Sequence, residues 1–163
     1  MTKMNRGSEL FEVNIEEKDA RVFVLFVQTA ELVLKCTEAV FNRAGMSLVK
    51  LMVLQLLQAH DGTLTPTEIA RLINREKHDI TTLVRRMERA QLITTKRSEI
   101  DTRSINVTIT DKGKKAIIDT LPAARSIYKN LMSSIPDSSY DVLERSLKIL
   151  RLNACDRLKS MKP

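Results

Sequence analysis

Arginine and threonine side chains recur between positions 78 and 103 at spacings suited to contacting nucleic acid. An arginine guanidinium can donate two hydrogen bonds to a guanine edge, and a threonine can bond a base or touch a thymine methyl group. At about 100° per residue, a helix over 78–90 would carry six such polar side chains on its outer side. They are His78, Thr82, Arg85 and Arg89 at the pole, with Thr81 and Arg86 on the flanks. The pattern favours a helix that reads the DNA major groove, although an ordinary solvated helix face uses the same residue types.

An apolar stripe on the same helix would hold it in place. Apolar residues follow one another at i, i+3, i+4 and i+7, which is the spacing of one helical face: Ile80, Leu83, Val84 and Met87. This stripe predicts a helix from about His78 to Ala90 that packs on a core and turns its polar side outward.

A short capped helix is predicted directly before it. Thr65 suits the N-cap, Pro66 the first helical position and Glu68 the third, which completes a Thr-x-x-Glu capping box. Asn74 can adopt the left-handed conformation that ends a helix. The apolar residues of this helix are expected to pack inward: Ile69, Leu72 and Ile73.

A β-hairpin is predicted directly after the second helix. Ile105, Val107 and Ile109 alternate with polar residues, as in a strand with one buried face. The β-branched stretch 92–96 fits the partner strand, and 97–102 forms a polar tip. A helix-turn-helix followed by a basic hairpin is typical of a winged helix.

The tip of this hairpin carries candidate minor-groove contacts. An arginine at a wing tip can enter the narrow minor groove, where the negative potential is deepest. Arg103 is the first candidate and Arg97 the second. Phosphates repel Asp101, so we expect it to pair with an arginine or to cap the turn.

Residues 47–115 resemble the MarR family of bacterial and archaeal winged-helix transcription regulators. The resemblance is carried by Thr-Pro-Thr-Glu-Ile-Ala at the first helix start, Leu-Val-Arg-Arg-Met-Glu-Arg in the second helix, the Asp-Thr-Arg wing and the Ile-Thr-Asp-Lys-Gly segment that ends at Gly113. The resemblance implies that the second helix reads the major groove and that the wing contacts the minor groove. Those roles would fall to Thr81, Thr82, Arg85, Asp101 and Arg103.

The resemblance also raises two further expectations. Gln91 stands where the family usually has glycine after the recognition helix, so a positive φ there would strain this residue. Members of the family commonly bind a small aromatic or phenolic anion in a pocket lined by the first, second and fifth helices. Phe26, Phe41 and Arg43 could reach such a pocket, but the same residue types also serve as core or surface.

The charge of the chain agrees with a polyanionic partner. The 163 residues have a net charge of +7 and a pI near 9.6. Between Arg71 and Arg103 there are nine Lys/Arg and five Asp/Glu, so nine minus five leaves +4 in about a fifth of the chain. Double-stranded DNA is therefore the expected partner.

The rest of the chain is expected to be helical and to form a homodimer. An Asn-x-x-Glu start at Asn14 predicts a helix to about Arg43, and residues 22–27 within it are apolar on every side. We expect a mainly α fold with a small β-hairpin wing, a kink at Pro122 and a last helix that begins at Pro136. The expected division is 1–45 and 116–163 as helical dimerisation segments around a winged helix-turn-helix domain at 46–115.

Other classes of protein find little support in the sequence. Cys36 and Cys155 lack zinc-site spacing, and two cysteines in a cytoplasmic chain are expected to be reduced and buried, with thiol sensing a lesser alternative. Four scattered glycines form no phosphate-binding loop. No nucleophile–base pair stands out, so we expect neither enzyme activity nor a cofactor or metal. No apolar run approaches the about 20 residues of a membrane span, and no signal-peptide core is present.

Three functions are compatible with these features. The leading one is a cytoplasmic, homodimeric regulator, most simply a repressor, that binds a pseudo-palindromic operator and is released by a small effector. The alternatives are a winged helix that binds another protein and a nonspecific chromosomal DNA-binding protein. A protein-binding module would have apolar residues on the exposed recognition face, and a nonspecific binder would rely on lysine.

Overall fold

The computed structural model describes residues 15–97 and 104–161. The fold is mainly α-helical with a small antiparallel sheet, as the sequence predicts. The elements in chain order are α1 (Lys18–Arg43), α2 (Leu48–Ala59), β1 (Thr63–Leu64), α3 (Pro66–Leu72), α4 (Lys77–Arg89), β2 (Ile93–Arg97), β3 (Ile105–Ile109), α5 (Asp111–Met132) and α6 (Tyr140–Ser160), with a 3-10 turn at Asp137–Ser139. One compact unit ends at Ile127 and a second begins at Tyr128, a boundary that lies within α5. The division into segments at 45/46 and 115/116 remains a prediction.

The core of the first unit lies where α2, α3, α4 and the sheet meet. Apolar side chains from these elements are almost completely shielded from solvent: Val53, Leu54, Leu57, Ile69, Ile80, Met87, Ile93 and Val107. Large buried aliphatic side chains each contribute about 1.5–3 kcal/mol relative to exposure, so this cluster fixes how the two helices of the helix-turn-helix sit together.

The predicted capping box begins α3. The Thr65 hydroxyl accepts from the Glu68 backbone N–H at 3.2 Å, and the Glu68 carboxylate accepts from the Thr65 N–H at 2.8 Å. The hydrogen bond from the Thr65 backbone N–H, and to a lesser extent the one from its hydroxyl, hold the pKa of the Glu68 carboxyl below its usual value. The prediction of this helix start is therefore confirmed.

The end of α3 follows the prediction in one respect and departs from it in another. Asn74 adopts the left-handed conformation at φ 52°, as expected for a residue just past a helix end. Ile69 is buried and Ile73 half-buried, but Leu72 is 41% exposed. The expectation that Leu72 packs inward is wrong, because the short helix turns only one narrow strip of its last turn toward the core.

The second helix of the motif, α4, is oriented by its buried stripe. Ile80, Val84 and Met87 are buried and Leu83 is half-buried, so the predicted stripe faces the core. The helix starts one residue before the predicted start and ends one residue before the predicted end. Because one face is buried in this way, the opposite face points to solvent.

The sheet contains one strand more than the predicted hairpin. β2 and β3 pair antiparallel from Ile93 opposite Ile109 to Arg97 opposite Ile105, which confirms the hairpin. The two-residue β1 joins the other side of β3, with Thr63 opposite Thr108. Val107 and Ile109 are buried as the alternation predicts, but Ile105 is 38% exposed at the outer end of the strand.

A network of short contacts joins the end of α4 to the start of α5. Gln91 adopts φ 62°, and the backbone N–H of Leu92 donates to the carbonyl of Met87 at 3.0 Å, which closes the helix. The Thr110 hydroxyl donates to the Gln91 carbonyl at 2.7 Å and accepts from the Gly113 N–H at 3.0 Å. A Cβ on Gly113 would lie 2.2 Å from the Leu92 carbonyl oxygen, so only glycine permits this approach.

The first helix, α1, exposes most of its apolar residues. The helix begins at Lys18, and Glu17 is its N-cap without a side-chain capping bond. The predicted Asn-x-x-Glu start is therefore wrong. Asn14 itself lies outside the described residues. Gly45 adopts φ 76° just past the helix end, as expected. The exposed apolar residues of α1 are Val22, Phe23, Leu25, Phe26, Val27, Leu32, Val33 and Leu34.

The helix α5 continues through Pro122 without interruption and crosses from the first unit into the second. The second unit contains the end of α5 and the whole of α6. A 3-10 turn occupies Asp137–Ser139, so α6 begins at Tyr140 and not at Pro136 as predicted. The Tyr140 hydroxyl donates to the Met132 carbonyl at 3.2 Å and ties the two helices together. No residue of α6 is buried.

Replacing Gln91 with glycine should stabilise the protein. A left-handed conformation costs an L-residue roughly 1–2 kcal/mol, whereas the extra freedom of glycine in the unfolded chain costs about 0.5–1 kcal/mol. The exposed Lys112–Gln91 side-chain contact at 3.3 Å adds little. We therefore expect Gln91→Gly to raise the free energy of unfolding by about 0.5–1 kcal/mol, measured by urea denaturation.

Gln55→Gly serves as the matched control. Gln55 is exposed in the middle of α2, where glycine lowers stability by about 1 kcal/mol. If Gln91→Gly lowers stability as much as the control does, the left-handed strain at this position is not real.

Candidate nucleic-acid interface

The outer side of α4 presents the predicted polar residues together. His78, Thr82, Arg85, Arg86 and Arg89 are all exposed, and Thr81 is half-buried. Since the buried stripe fixes the rotation of the helix, these side chains share one solvent-facing surface. We call the set His78, Thr81, Thr82, Arg85, Arg86 and Arg89 the recognition face.

Two members of the recognition face are partly engaged by the helix itself. The Thr81 hydroxyl donates to the Lys77 carbonyl at 2.9 Å, which leaves its oxygen lone pairs as acceptors. The Arg89 Nε donates to the Arg85 carbonyl at 3.4 Å, a long bond that lays this side chain back along α4. Arg89 is therefore held toward the preceding turn, whereas Arg85 extends without such a bond.

The guanidinium groups of Arg85 and Arg86 are available for an outside partner. Within 15–97 and 104–161, neither group forms an ion pair or a hydrogen bond. His78 Nε2 lies 3.0 Å from an Asp79 carboxylate oxygen, and both side chains are more than half exposed. The recognition face thus combines unpaired guanidinium forks with hydroxyls, which are the donors and acceptors that base edges require.

A carboxylate on the inner flank of α4 ties the helix to the hairpin. Glu88 accepts from the backbone N–H of Thr95 at 2.9 Å and from the Thr95 hydroxyl at 2.5 Å. Glu88 is half-buried, and Thr95 pairs with the buried Val107 of β3. This contact fixes the distance between the recognition face and the strand that leads to the wing tip.

The predicted wing residues fall partly within the structure. Arg97 is exposed at the end of β2, on the side of the hairpin that leads to the tip. Asp101 and Arg103 lie outside the described residues, so their placement stays a prediction.

A cavity of about 340 Å³ lies beside the recognition face. Its apolar lining consists of Val49, Ile80 and Leu83, from the first turn of α2 and from α4. Its polar lining consists of Arg75, Asp79, Thr82 and Arg86. The cavity therefore shares Thr82 and Arg86 with the recognition face.

The residues suggested for an effector pocket between the first, second and fifth helices lie in different settings. Phe41 is buried and belongs to the hydrophobic core. Phe26 is 37% exposed on α1, and Arg43 is exposed at the end of that helix. The structure thus gives Phe41 a packing role.

Both cysteines are exposed, which contradicts the expectation that they are buried. Cys36 lies on α1 and Cys155 on α6, and neither is in a disulfide. Both helices carry more apolar surface than their own unit covers, so a small side chain there stays accessible.

Among the described residues, no group of three or more His, Cys, Asp or Glu could hold a metal ion. The described helices also include none long and apolar enough to cross a membrane.

Two features of this surface escaped the sequence analysis. The contact of Glu88 with Thr95 joins positions seven apart across a turn, and no local pattern predicts such a pair. Arg75 and Asp79 were not among the candidates, since the spacing argument considered only the outward pole of α4. Their position on a shared cavity depends on where α2 packs.

A family model and known proteins match this chain. Residues 44–104 match the model of the MarR family. The transcriptional repressor YetL of Bacillus subtilis (strain 168) is 27% identical over 135 residues, which are 82% of this chain and 81% of that protein.

Solved structures share the fold. The organohalide-sensing regulator RdhR-CbdbA1625, in its 2,4-dichlorophenol-bound form, has a TM-score of 0.74 and 24% identity over 88% of both chains. The Mycobacterium tuberculosis regulator MosR, in complex with DNA, has a TM-score of 0.65 and 19% identity over 81% of this chain and 96% of that one.

The matched region spans the helix-turn-helix, ends one residue before β3 and contains the whole recognition face. The repressor relative extends the similarity beyond this region to most of the chain. Residues 44–104 are therefore similar to the MarR family of transcription regulators, and most of the chain is similar to a repressor and to MarR-type structures.

Proposed function

We propose that this protein is a homodimeric repressor that binds a pseudo-palindromic operator sequence-specifically and is released by a small aromatic or phenolic ligand. The recognition face of α4 carries the proposal, since it presents two guanidinium groups that have no partner among the described residues, together with two threonines, on a helix whose rotation the core fixes. As a DNA-binding regulator, the protein would act in the cytoplasm.

Major-groove reading follows from the chemistry of the recognition face. The N-terminal part of such a helix usually contacts base edges, which gives His78, Thr81, Thr82 and Arg85 the reading positions. Arg86 and Arg89 lie later on the helix, where phosphates are the natural partners. Arg97, Asp101 and Arg103 of the wing would contact the flanking minor groove.

The homodimer rests on apolar surface that each unit leaves exposed. Phe23 is 57% exposed and Leu25 62%, within the stretch 22–27 of α1, where every residue is apolar. In the second unit the exposed apolar residues are Tyr128, Leu131, Val142, Leu143, Leu147, Ile149, Leu152, Leu158 and Met161. Exposed apolar residues in such number support an interface between two copies of the chain. A two-fold axis would place two recognition faces about one DNA turn apart, roughly 10 base pairs.

The proposed repressor role and the proposed ligand are based on proteins that are similar to this chain. YetL is named a repressor, and RdhR-CbdbA1625 is seen with a chlorinated phenol. A bound ligand that favours one arrangement of the two recognition faces would change the affinity for DNA.

Two other functions fit the surface less well. A winged helix that binds a protein would present apolar residues on its recognition face, whereas this face is polar throughout. A nonspecific chromosomal protein would rely on lysine, whereas arginine and threonine dominate here. The test below separates the second alternative from the proposal.

Arg85→Ala and Arg89→Ala should have different effects on DNA binding. We expect Arg85→Ala to lose about 1–3 kcal/mol on the best operator and to relax the preference at one base pair per half-site. Arg89→Ala should weaken all duplexes equally and lower the slope of log K against log salt by about one unit per protomer. Fluorescence anisotropy on an operator selected from a random DNA pool, and on base-substituted forms of it, measures both effects.

Arg145→Ala is the matched control, because Arg145 is exposed on α6 and is not part of the recognition face. Uniform weakening by both Arg85→Ala and Arg89→Ala, with no change in base preference, would mean that neither residue reads sequence. The protein would then be a nonspecific basic binder.

Charged substitutions on the exposed apolar helices should break the dimer. Phe23→Glu and Leu147→Glu each place a carboxylate within the proposed interface, where an unpaired buried charge is strongly unfavourable. We expect sedimentation to show monomers, and gel shifts to show loss of operator binding, while the recognition face is unchanged.

Gln55→Glu provides the control, since this exposed residue of α2 lies outside both apolar helices. The proposed interface is wrong if the Phe23→Glu protein remains dimeric, and operator binding does not need the dimer if this variant is monomeric and binds the full operator with unchanged affinity. The dimer proposal itself fails if the wild-type protein sediments as a monomer when bound to DNA.

A further inference from the structure

The cavity beside α4 is lined by two arginines that form no ion pair with any described residue. Arg75 comes from the turn between α3 and α4, and Arg86 comes from the third turn of α4. Both are exposed, and among the described residues neither guanidinium has an ion pair or a hydrogen bond. Two positive groups around one opening repel each other, and an anion between them relieves that repulsion.

The remaining lining suits a sugar–phosphate chain. Val49 and Leu83 offer half-buried apolar surface next to the two guanidinium groups. A DNA strand alternates apolar deoxyribose carbons with phosphates, so it presents both kinds of surface at once. The cavity shares Thr82 with the recognition face, which places it at the border of the groove that α4 would enter.

Asp79 adds a repulsive element to the same lining. Its carboxylate lies 3.0 Å from His78 Nε2, and its side chain is 58% exposed. Two arginines and one aspartate leave the lining with a single positive charge. Such a site attracts a phosphate but holds it less strongly than two arginines alone would.

We propose that this cavity receives one backbone phosphate of the DNA in each protomer, between Arg75 and Arg86, and that Asp79 limits the strength of that contact. The inference rests on the proposed function, because it takes α4 to lie in the major groove. Phosphate contacts fix register and carry no direct sequence information. Arg75 is thus a positioning residue that no pattern in the sequence singles out.

Salt-dependent binding of full-length variants tests the site. The probes are a duplex selected from a random pool and a scrambled duplex of the same length and composition. Arg75→Ala should lower the slope of log K against log salt by about 0.9 per protomer and, near 0.1 M salt, weaken binding to both duplexes by about fivefold to tenfold for each protomer that contacts the DNA. The ratio of the two affinities should stay unchanged.

Asp79→Asn should act in the opposite direction. Removal of the carboxylate should tighten binding to both duplexes, an effect that misfolding would not produce. The control Arg145→Ala removes the same charge from a position that does not line the cavity and should leave the slope unchanged.

Three results would overturn the inference. The first is an unchanged salt slope for Arg75→Ala. The second is an Asp79→Asn protein that binds only the selected duplex more weakly, because Asp79 would then read a base. The third is competition by benzoate, used as a small aromatic anion, that Arg75→Ala abolishes while the salt slope stays the same, because the cavity would then bind a small molecule.

Failure of the proposed function gives a different result. A wild-type protein with equal affinity for the two duplexes has no sequence preference, yet the slope measured on the scrambled duplex still decides whether Arg75 holds a phosphate. A protein that binds neither duplex refutes the inference and the proposed function together.

Discussion

Burial of one face of α4 is the constraint on which the rest of the interface depends. Ile80 and Met87 are almost completely shielded, and they lock the rotation of the helix against the core formed with α2, α3 and the sheet. Any rotation that exposed them would lose several kcal/mol of apolar burial. The arginines and threonines on the other side of α4 are consequently held outward as one set, and their chemistry can be directed at a single partner.

Polar contacts then fix the end of α4 in a way that apolar packing does not. Glu88 joins the helix to β2 through Thr95, and the carbonyl of Gln91 accepts from Thr110 at the start of α5. Gly113 lets α5 approach the backbone at Leu92. Because α5 continues to Met132, the same helix connects this joint to the second compact unit. Hydrogen bonds at Glu88 and Gln91 thus link the end of the recognition helix to β2 and to the start of α5.

Local rules predicted the parts of the fold that depend on neighbouring residues. The capping box at Thr65 and the left-handed Asn74 follow from chemistry within one turn of chain, whereas only the resemblance to the MarR family pointed to a positive φ at Gln91. The two-residue β1 is too short to show alternation, so its pairing with β3 could not be predicted. Exposure of Leu72 and of both cysteines, and the cavity at Arg75, depend on how distant elements pack. Sequence spacing identified the polar side of α4, but it could not identify the residues that border it from other elements.

Methylation interference on a selected operator tests the central claim most directly, namely that the outward side of α4 reads base edges. Methylation of guanine N7 blocks the bidentate arginine contact in the major groove without altering the phosphates. We expect methylated guanines in each half-site to prevent binding of the wild-type protein, and one of these positions to lose its effect in Arg85→Ala. Binding that tolerates every N7 methylation, and is blocked only by phosphate ethylation, would contradict base reading by α4.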